Sequence, residues 1–133
     1  MSTLKVTNIQ ATGETASRAV SGVAAAWVSL NMSAATVNDS TNVSSASDNG
    51  TGDFSMNYSN NMGNTNYTHV SGCSHGTGAT TVIFTLEGVD NIANTSIYQT
   101  SLFRMNCVYV NSTVNRTDFD INRASVAIHG DLA

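Results

Sequence analysis

NVSSASDNGTGDFSMNY, residues 42–58, is the stretch whose reading decides the fold. Its second half alternates strictly. Phe54, Met56 and Tyr58 fall in one phase and Ser55 and Asn57 in the other, the period of a strand with one apolar face. Ahead of that run stands Asn49-Gly50, a pair that tolerates positive φ and favours a two-residue hairpin turn. Asp48 and Asp53 flank the turn as acceptors for backbone N–H groups, and Gly52 marks a bulge or a second bend. A hairpin with one apolar face is marginal alone, so these residues predict the centre of a small β domain.

The rest of the chain supports that reading. The 133 residues suit one domain. They include 17 Ser, 17 Thr and 16 Asn, with charged residues at only 11% and no Pro. Ser, Thr and Asn bond to nearby backbone and compete with helix, so they favour turns and polar strand faces. AWVSLNM sets Trp27 and Ser29 against Val28, Leu30 and Met32, and ATVNDSTNVSSASD reads as one polar strand. YTHVSG sets Val70 against Tyr67 and His69. TTVIFTLEGV reads as a strand buried on both faces, IYQTSLFRMNCVYV as the longest strand, and ASVAIHGD as the closing one. Trp27, Tyr58, Phe84 and Phe103 are expected in the core. Seven or eight short strands with polar turns give an all-β chain: a single antiparallel β-sandwich domain over residues 25–133, with a short N-terminal arm over residues 1–24. Residues 16–26 read as a helical turn or two, or as a linker lying on another chain.

Several function classes recede. The net charge is −4 and the five Lys and Arg residues are scattered, whereas nucleic-acid binding needs a basic patch. No run approaches the roughly 18 apolar residues of a membrane span, and the first ten residues lack the pattern of a signal peptide. Synthesis in a cytosol follows as the expectation, with Cys73 and Cys107 as reduced strand residues. Asn-x-Ser/Thr occurs nine times, from Asn31 to Asn115. On alternating strands polar residues two apart share a face, so these triplets read as solvent-facing positions and not glycan acceptors.

No catalytic constellation stands out, and the chain is read as a non-enzyme. Asp118 and Asp120 would share a strand face, the arrangement of a glycosidase pair, but a solvated edge explains them equally. The Gly-rich SGCSHGTGAT has no phosphate-loop pattern and reads as a connection. His69, Cys73 and His75 lie within seven residues and are all good ligands for zinc or iron. Their spacing matches no standard zinc motif, so polar strand and loop positions are the preferred reading and a metal site the lesser one. No cofactor is implied.

At residues 39–58 the pattern is more than generic. Asp39, Ser40, Asn42, Val43, Ser44, Ser45, Asp48, Asn49, Gly50, Thr51, Gly52 and Asp53 stand in the order of a segment found in tail-fibre and related virion proteins of tailed bacteriophages, marine phages especially. The chain resembles that family also at AAAWVSLN, which carries Trp27, at MSTLKVTNIQ and at ASVAIHGD. It departs at Gly63, where the family often has Pro, and at His129, which stands for an aromatic. The resemblance covers residues 1–10, 24–72 and 120–131. It implies a virion protein, trimeric, in a tail fibre or attached to the tail or baseplate. Leu4, Val6 and Ile9 would anchor the arm to a neighbouring subunit. Exposed loops at residues 72–79, 90–96 and 111–118 would present His75, Thr77, Asn91, Asn94, Tyr98 and Asn115 to a host surface glycan. A capsid decoration or cement protein is the alternative within the virion, and a free carbohydrate-binding module the alternative outside it.

Overall fold

A computed structural model describes residues 8–9, 18–19, 23–74, 83–87, 97–110 and 116–133. Eleven strands run through them: β1 (Asn8–Ile9), β2 (Arg18–Ala19), β3 (Ala24–Asn31), β4 (Thr36–Thr41), β5 (Val43–Gly50), β6 (Asp53–Tyr58), β7 (Thr68–Ser74), β8 (Ile83–Glu87), β9 (Leu102–Val110), β10 (Arg116–Asp118) and β11 (Arg123–His129). No described residue is helical. β1 and β2 pair with each other. The other nine strands form two antiparallel sheets packed face to face, a β-sandwich, as the composition and alternation predict. One sheet has the order β4-β3-β11-β7. The other has the order β10-β9-β6-β5, with β8 also on β9. The helical option for residues 16–26 fails, since Arg18–Ala19 and Ala24–Ala26 are strand. Gly22 and the β-compatible run that follows outweigh a weak alanine preference.

The core fills the space between the sheets. The first sheet contributes Ala26, Val28 and Leu30 from β3 and Ala124, Val126 and Ile128 from β11. The second contributes Phe54, Met56 and Tyr58 from β6 and Phe103, Met105 and Cys107 from β9. Each set is every second residue, so one phase of each strand faces the other sheet as the pleat demands. Four methionines, Met32, Met56, Met62 and Met105, are essentially without exposure. Their unbranched, polarizable side chains fill gaps that β-branched residues leave. Both cysteines are unbonded thiols facing the interior. Burial raises the Cys73 thiol and pushes that of Cys107 up to about 12.

Three details of the connections differ from the sequence reading. Residues 36–50 are two strands and not one. At Asn42 the chain leaves the first sheet and enters the second, with φ at 55°, a left-handed conformation that Asn adopts more readily than most residues. Its side chain then fixes the corner. Asn42 Oδ1 accepts from Asn60 N at 2.8 Å and Asn60 Nδ2 at 3.0 Å, and Asn42 Nδ2 donates to Asn60 O at 3.1 Å. Next, the long strand expected over residues 97–110 begins only at Leu102. Ile97 and Tyr98 double back, with Tyr98 bridged to Phe103. Last, the hairpin turn lies at Thr51-Gly52 and not at Asn49-Gly50, because Gly50 pairs with Asp53. Positive φ falls on Gly50 and Gly52.

That shift has a tertiary cause. Gly52, at φ 72°, lies so close to β9 that a Cβ there would stand 2.6 Å from Cys107 O and 2.7 Å from Phe119 N. Cys107 N–H donates to Gly52 O at 2.7 Å, and Gly52 N–H donates to Asp120 Oδ1 at 2.6 Å. The hairpin tip is therefore held from outside by β9 and by the segment between β10 and β11. Asp48 Oδ1 accepts from Gly50 N at 2.9 Å, as the sequence suggested for an acceptor beside the turn. Asp53 instead forms an ion pair with Arg104.

Candidate functional site

The two outer faces of the sandwich differ in chemistry. On the second sheet the outward side chains of β5, β6 and β9 bind one another. Arg104 Nε donates to Asp53 Oδ1 at 2.8 Å, and Arg104 Nη2 pairs with Asp53 Oδ2. Asn49 Nδ2 reaches Ser55 Oγ at 2.9 Å and Asp53 Oδ1 at 3.2 Å. Asn57 Nδ2 reaches Ser47 Oγ at 2.9 Å and Ser45 Oγ at 3.1 Å. Asp53 and Ser55 are buried despite pointing away from the core. This face is a polar lattice, with Asn106 Oδ1 beside it buried and without a hydrogen-bond partner.

On the first sheet the outward phase includes Trp27 and Ser29 on β3, Arg123, Ser125, Ala127 and His129 on β11, and Val70 and Gly72 on β7. Register places most of them in two rows. Thr41, Trp27, Ala127 and Val70 lie across the sheet in one row, and Asp39, Ser29, Ser125 and Gly72 in the next. Neighbouring strands lie about 4.8 Å apart, so Trp27 and Val70 stand roughly 10 Å apart with only a methyl group between them. The result is an open groove of about 530 Å³, walled by Trp27 and Val70 and floored by Ala127, Ser29, Ser125 and Gly72. Val70 is 62% exposed. An added Cβ at Gly72 would meet no atom within 4 Å, so the groove is unobstructed at that end. No lining side chain is ionisable at neutral pH.

Trp27 is a correction. It was expected in the core and is half-buried on the outside. Its phase carries the reason: it alternates with Val28 and Leu30, which are buried, and shares its face with Ser29. Hydrophobicity alone assigned it inward; the strand period assigned it outward.

A second cluster closes one end of the sandwich. Tyr67, Tyr98, Phe103 and His69 pack their rings together, with His69 4.8 Å from Phe103 and Tyr67 5.2 Å from Tyr98. The His69 Nδ1 atom lies 2.9 Å from Tyr98 Oη. Tyr67 Oη accepts from Gln99 N at 3.1 Å and donates to Gln99 O at 3.0 Å or Leu102 O at 3.1 Å. Burial lowers the His69 pKa below its ordinary 6.5 and favours the neutral ring. Tyr98, a candidate for host contact, is thus half-buried and engaged here.

Of the candidate metal ligands, His69 and Cys73 share the inward face of β7, four residues apart, and His75 lies outside the described residues. No group of three His, Cys, Asp or Glu side chains forms a metal cluster among the described residues. Thr77, Asn91, Asn94 and Asn115 of the contact set also lie outside them, as do Leu4 and Val6 of the anchor. Ile9 is described in its backbone, within β1. Asp118 ends β10, and Asp120 lies beyond it with its carboxylate on Gly52 N, a brace for the hairpin tip. Among the nine Asn-x-Ser/Thr triplets, Asn31, Asn42, Asn49 and Asn57 use their side chains within the fold. Asn31 Oδ1, for example, accepts from Ala34 N at 3.1 Å. Sequence reasoning did not single out the groove, although the shared phase of Trp27 and Ser29 was a visible signal for it.

No protein-family model, curated protein or solved structure matches the chain. The class that the fold itself defines is an antiparallel β-sandwich.

Proposed function

We propose that the chain is a structural and adhesive virion protein of a tailed bacteriophage, a tail-fibre or tail-attached component that works as a homotrimer. The reading starts from the resemblance at residues 39–58, and one observation about those residues supports it. Asn42, Asp48, Asn49, Gly50, Gly52 and Asp53 are all committed to holding the hairpin and the corner beside it. A likeness in these residues is therefore a likeness in scaffold. A scaffold of this kind leaves function to its surfaces, which suits a protein that assembles and adheres better than one that turns over a substrate.

The test is the solution mass of the full chain by light scattering behind a sizing column. The expected result is a trimer of the 13.9 kDa chain. Replacing Leu4, Val6 and Ile9 with Asp should return it to monomer if the arm is the anchor. A wild-type chain that is monomeric at every concentration would overturn the autonomous trimer and favour a decoration protein ordered on the shell.

A further inference from the structure

We infer that Asn49 is a site of spontaneous covalent modification: when the hairpin tip opens, its side-chain amide is lost through a cyclic imide with Gly50, and the carboxylate left behind keeps the tip from closing as before. The inference stands on the tip alone and does not rest on the virion reading.

The sequence supplies the reactive pair. Of the 16 Asn residues only Asn49 precedes a glycine. Asn42 and Asn57 also bond within the fold, but Val43 and Tyr58 follow them, and those side chains crowd the backbone nitrogen that would attack. Gly50 brings no such obstacle, and no atom lies within 4 Å of where its Cβ would stand, so a ring has room to form. Asn49 is exposed to water. It is also the extra residue of a bulge, since the register passes from Asp48–Phe54 to Gly50–Asp53 and gives Asn49 no cross-strand partner.

The reaction needs only water. Gly50 N gives up its proton to hydroxide and attacks Asn49 Cγ. The N–Cγ bond forms, the Cγ–Nδ2 bond breaks, and ammonia leaves with a proton from water. A second water then opens the imide at either carbonyl, giving aspartate or isoaspartate.

The closed tip restrains both partners. Gly50 N–H donates to Asp48 Oδ1 at 2.9 Å, so a carboxylate stabilises the very proton that must leave. Asn49 Nδ2 donates across to β6, to Ser55 Oγ at 2.9 Å and Asp53 Oδ1 at 3.2 Å, which holds the carboxamide away from its own backbone. Reaction therefore waits on local opening. Afterwards the return is blocked. A carboxylate at position 49 has no N–H for Ser55 or Asp53 and sets a second negative charge against Asp53, whose Oδ1 already accepts from Arg104 Nε at 2.8 Å. Isoaspartate also lengthens the backbone inside the bulge.

The test follows amide loss at each Asn by peptide mapping and mass spectrometry, with the full chain held in mildly alkaline buffer, folded or in urea. In urea Asn49 should convert first. The folded chain should convert it at least about tenfold more slowly. Ser55→Ala and Asp48→Ala should each raise the ratio of folded to urea rate about fivefold, the ratio cancelling any change in intrinsic chemistry. Asn42→Ala weakens the fold at the far end of β5 and should leave that ratio unchanged. Asn49→Asp should unfold at lower urea than Asn49→Ala, because the first adds a charge where the second only removes a donor. The inference is overturned if folded and unfolded chains react equally fast, or if Ser55→Ala and Asp48→Ala leave the ratio alone. A rise with Asn42→Ala equal to theirs would make global unfolding the gate and overturn local opening. An Asn49→Asp chain as stable as Asn49→Ala would overturn the block on closure.

Discussion

The outer face of β5, β6 and β9 and the outer face of β3, β11 and β7 come from the same chain and the same kind of sheet, yet they are opposites. The first is built from Asp53 paired with Arg104, Ser55 with Asn49, and Asn57 with Ser45 and Ser47. The second is built from Trp27, Val70 and small residues, and stays open. A face whose groups are paired internally has little left to offer a ligand, since binding would first have to break those bonds. A face that leaves an aromatic wall beside a clear trough offers contact with little to lose. The contrast teaches that the best-patterned stretch of the sequence is spent on stability, and that the open surface lies on the other sheet.

The sharpest way to break this contrast is at Gly52. Gly52→Ala puts a Cβ against Cys107 O and Phe119 N in a left-handed conformation, and should cost about 3–5 kcal/mol in urea unfolding. A cost below about 1 kcal/mol would mean that the hairpin tip is not held from outside. Asp53→Ala comes next. It strands Arg104 beside the lattice and should cost roughly 2 kcal/mol, less than a fully buried pair because the Arg104 side chain keeps 19% of its exposure to screening water. Asn42→Ala tests the corner where the chain passes from one sheet to the other. Lost hydrogen bonds and left-handed strain should together cost about 1–2 kcal/mol, and Asn42→Gly should recover the strain component alone.

Between the faces, the His69 ring gives a pH signature. Its folded pKa is depressed by burial, so the unfolded chain binds the proton more readily. Stability should be full above the unfolded value near 6.5 and should decline as pH falls from there toward the lowered folded value. His69→Phe should remove that part of the slope, as read by the difference between the two unfolding midpoints across this window. An unchanged difference would assign the slope to other groups. The smallest effect is expected on the open face. Gly72→Phe should shift stability by less than about 1 kcal/mol, because the position is open. Trp27→Ala removes a half-buried ring and should cost about 1–3 kcal/mol, and a loss below that would show that the ring makes little contact with the sheet beneath it.

Alternation at Phe54, Met56 and Tyr58 was legible because the period of a strand is local, and the structure buries all three. The same held for Val28 and Leu30 and for Val126 and Ile128. The turn was misplaced by two residues because Asn49-Gly50 is the stronger local signal, while Thr51-Gly52 is favoured by partners at Cys107 and Asp120, more than fifty residues away. The break at Asn42 was hidden for a related reason. An Asn in a polar strand and an Asn at a left-handed corner look alike until Asn60 is seen to hold it. Trp27 was legible in phase and misread by size.

From the sequence alone came the all-β class, the sandwich and the burial phase of its best strands. All of these follow from the two-residue period and from composition, which act over a few residues. Only the tertiary structure decided which sheet each strand joins, how the hairpin tip is braced and where the groove lies. Its walls and floor come from residues 27, 70 and 127, brought side by side by pairing with β11. No local rule links positions so far apart, because their proximity exists only once the sheet has formed.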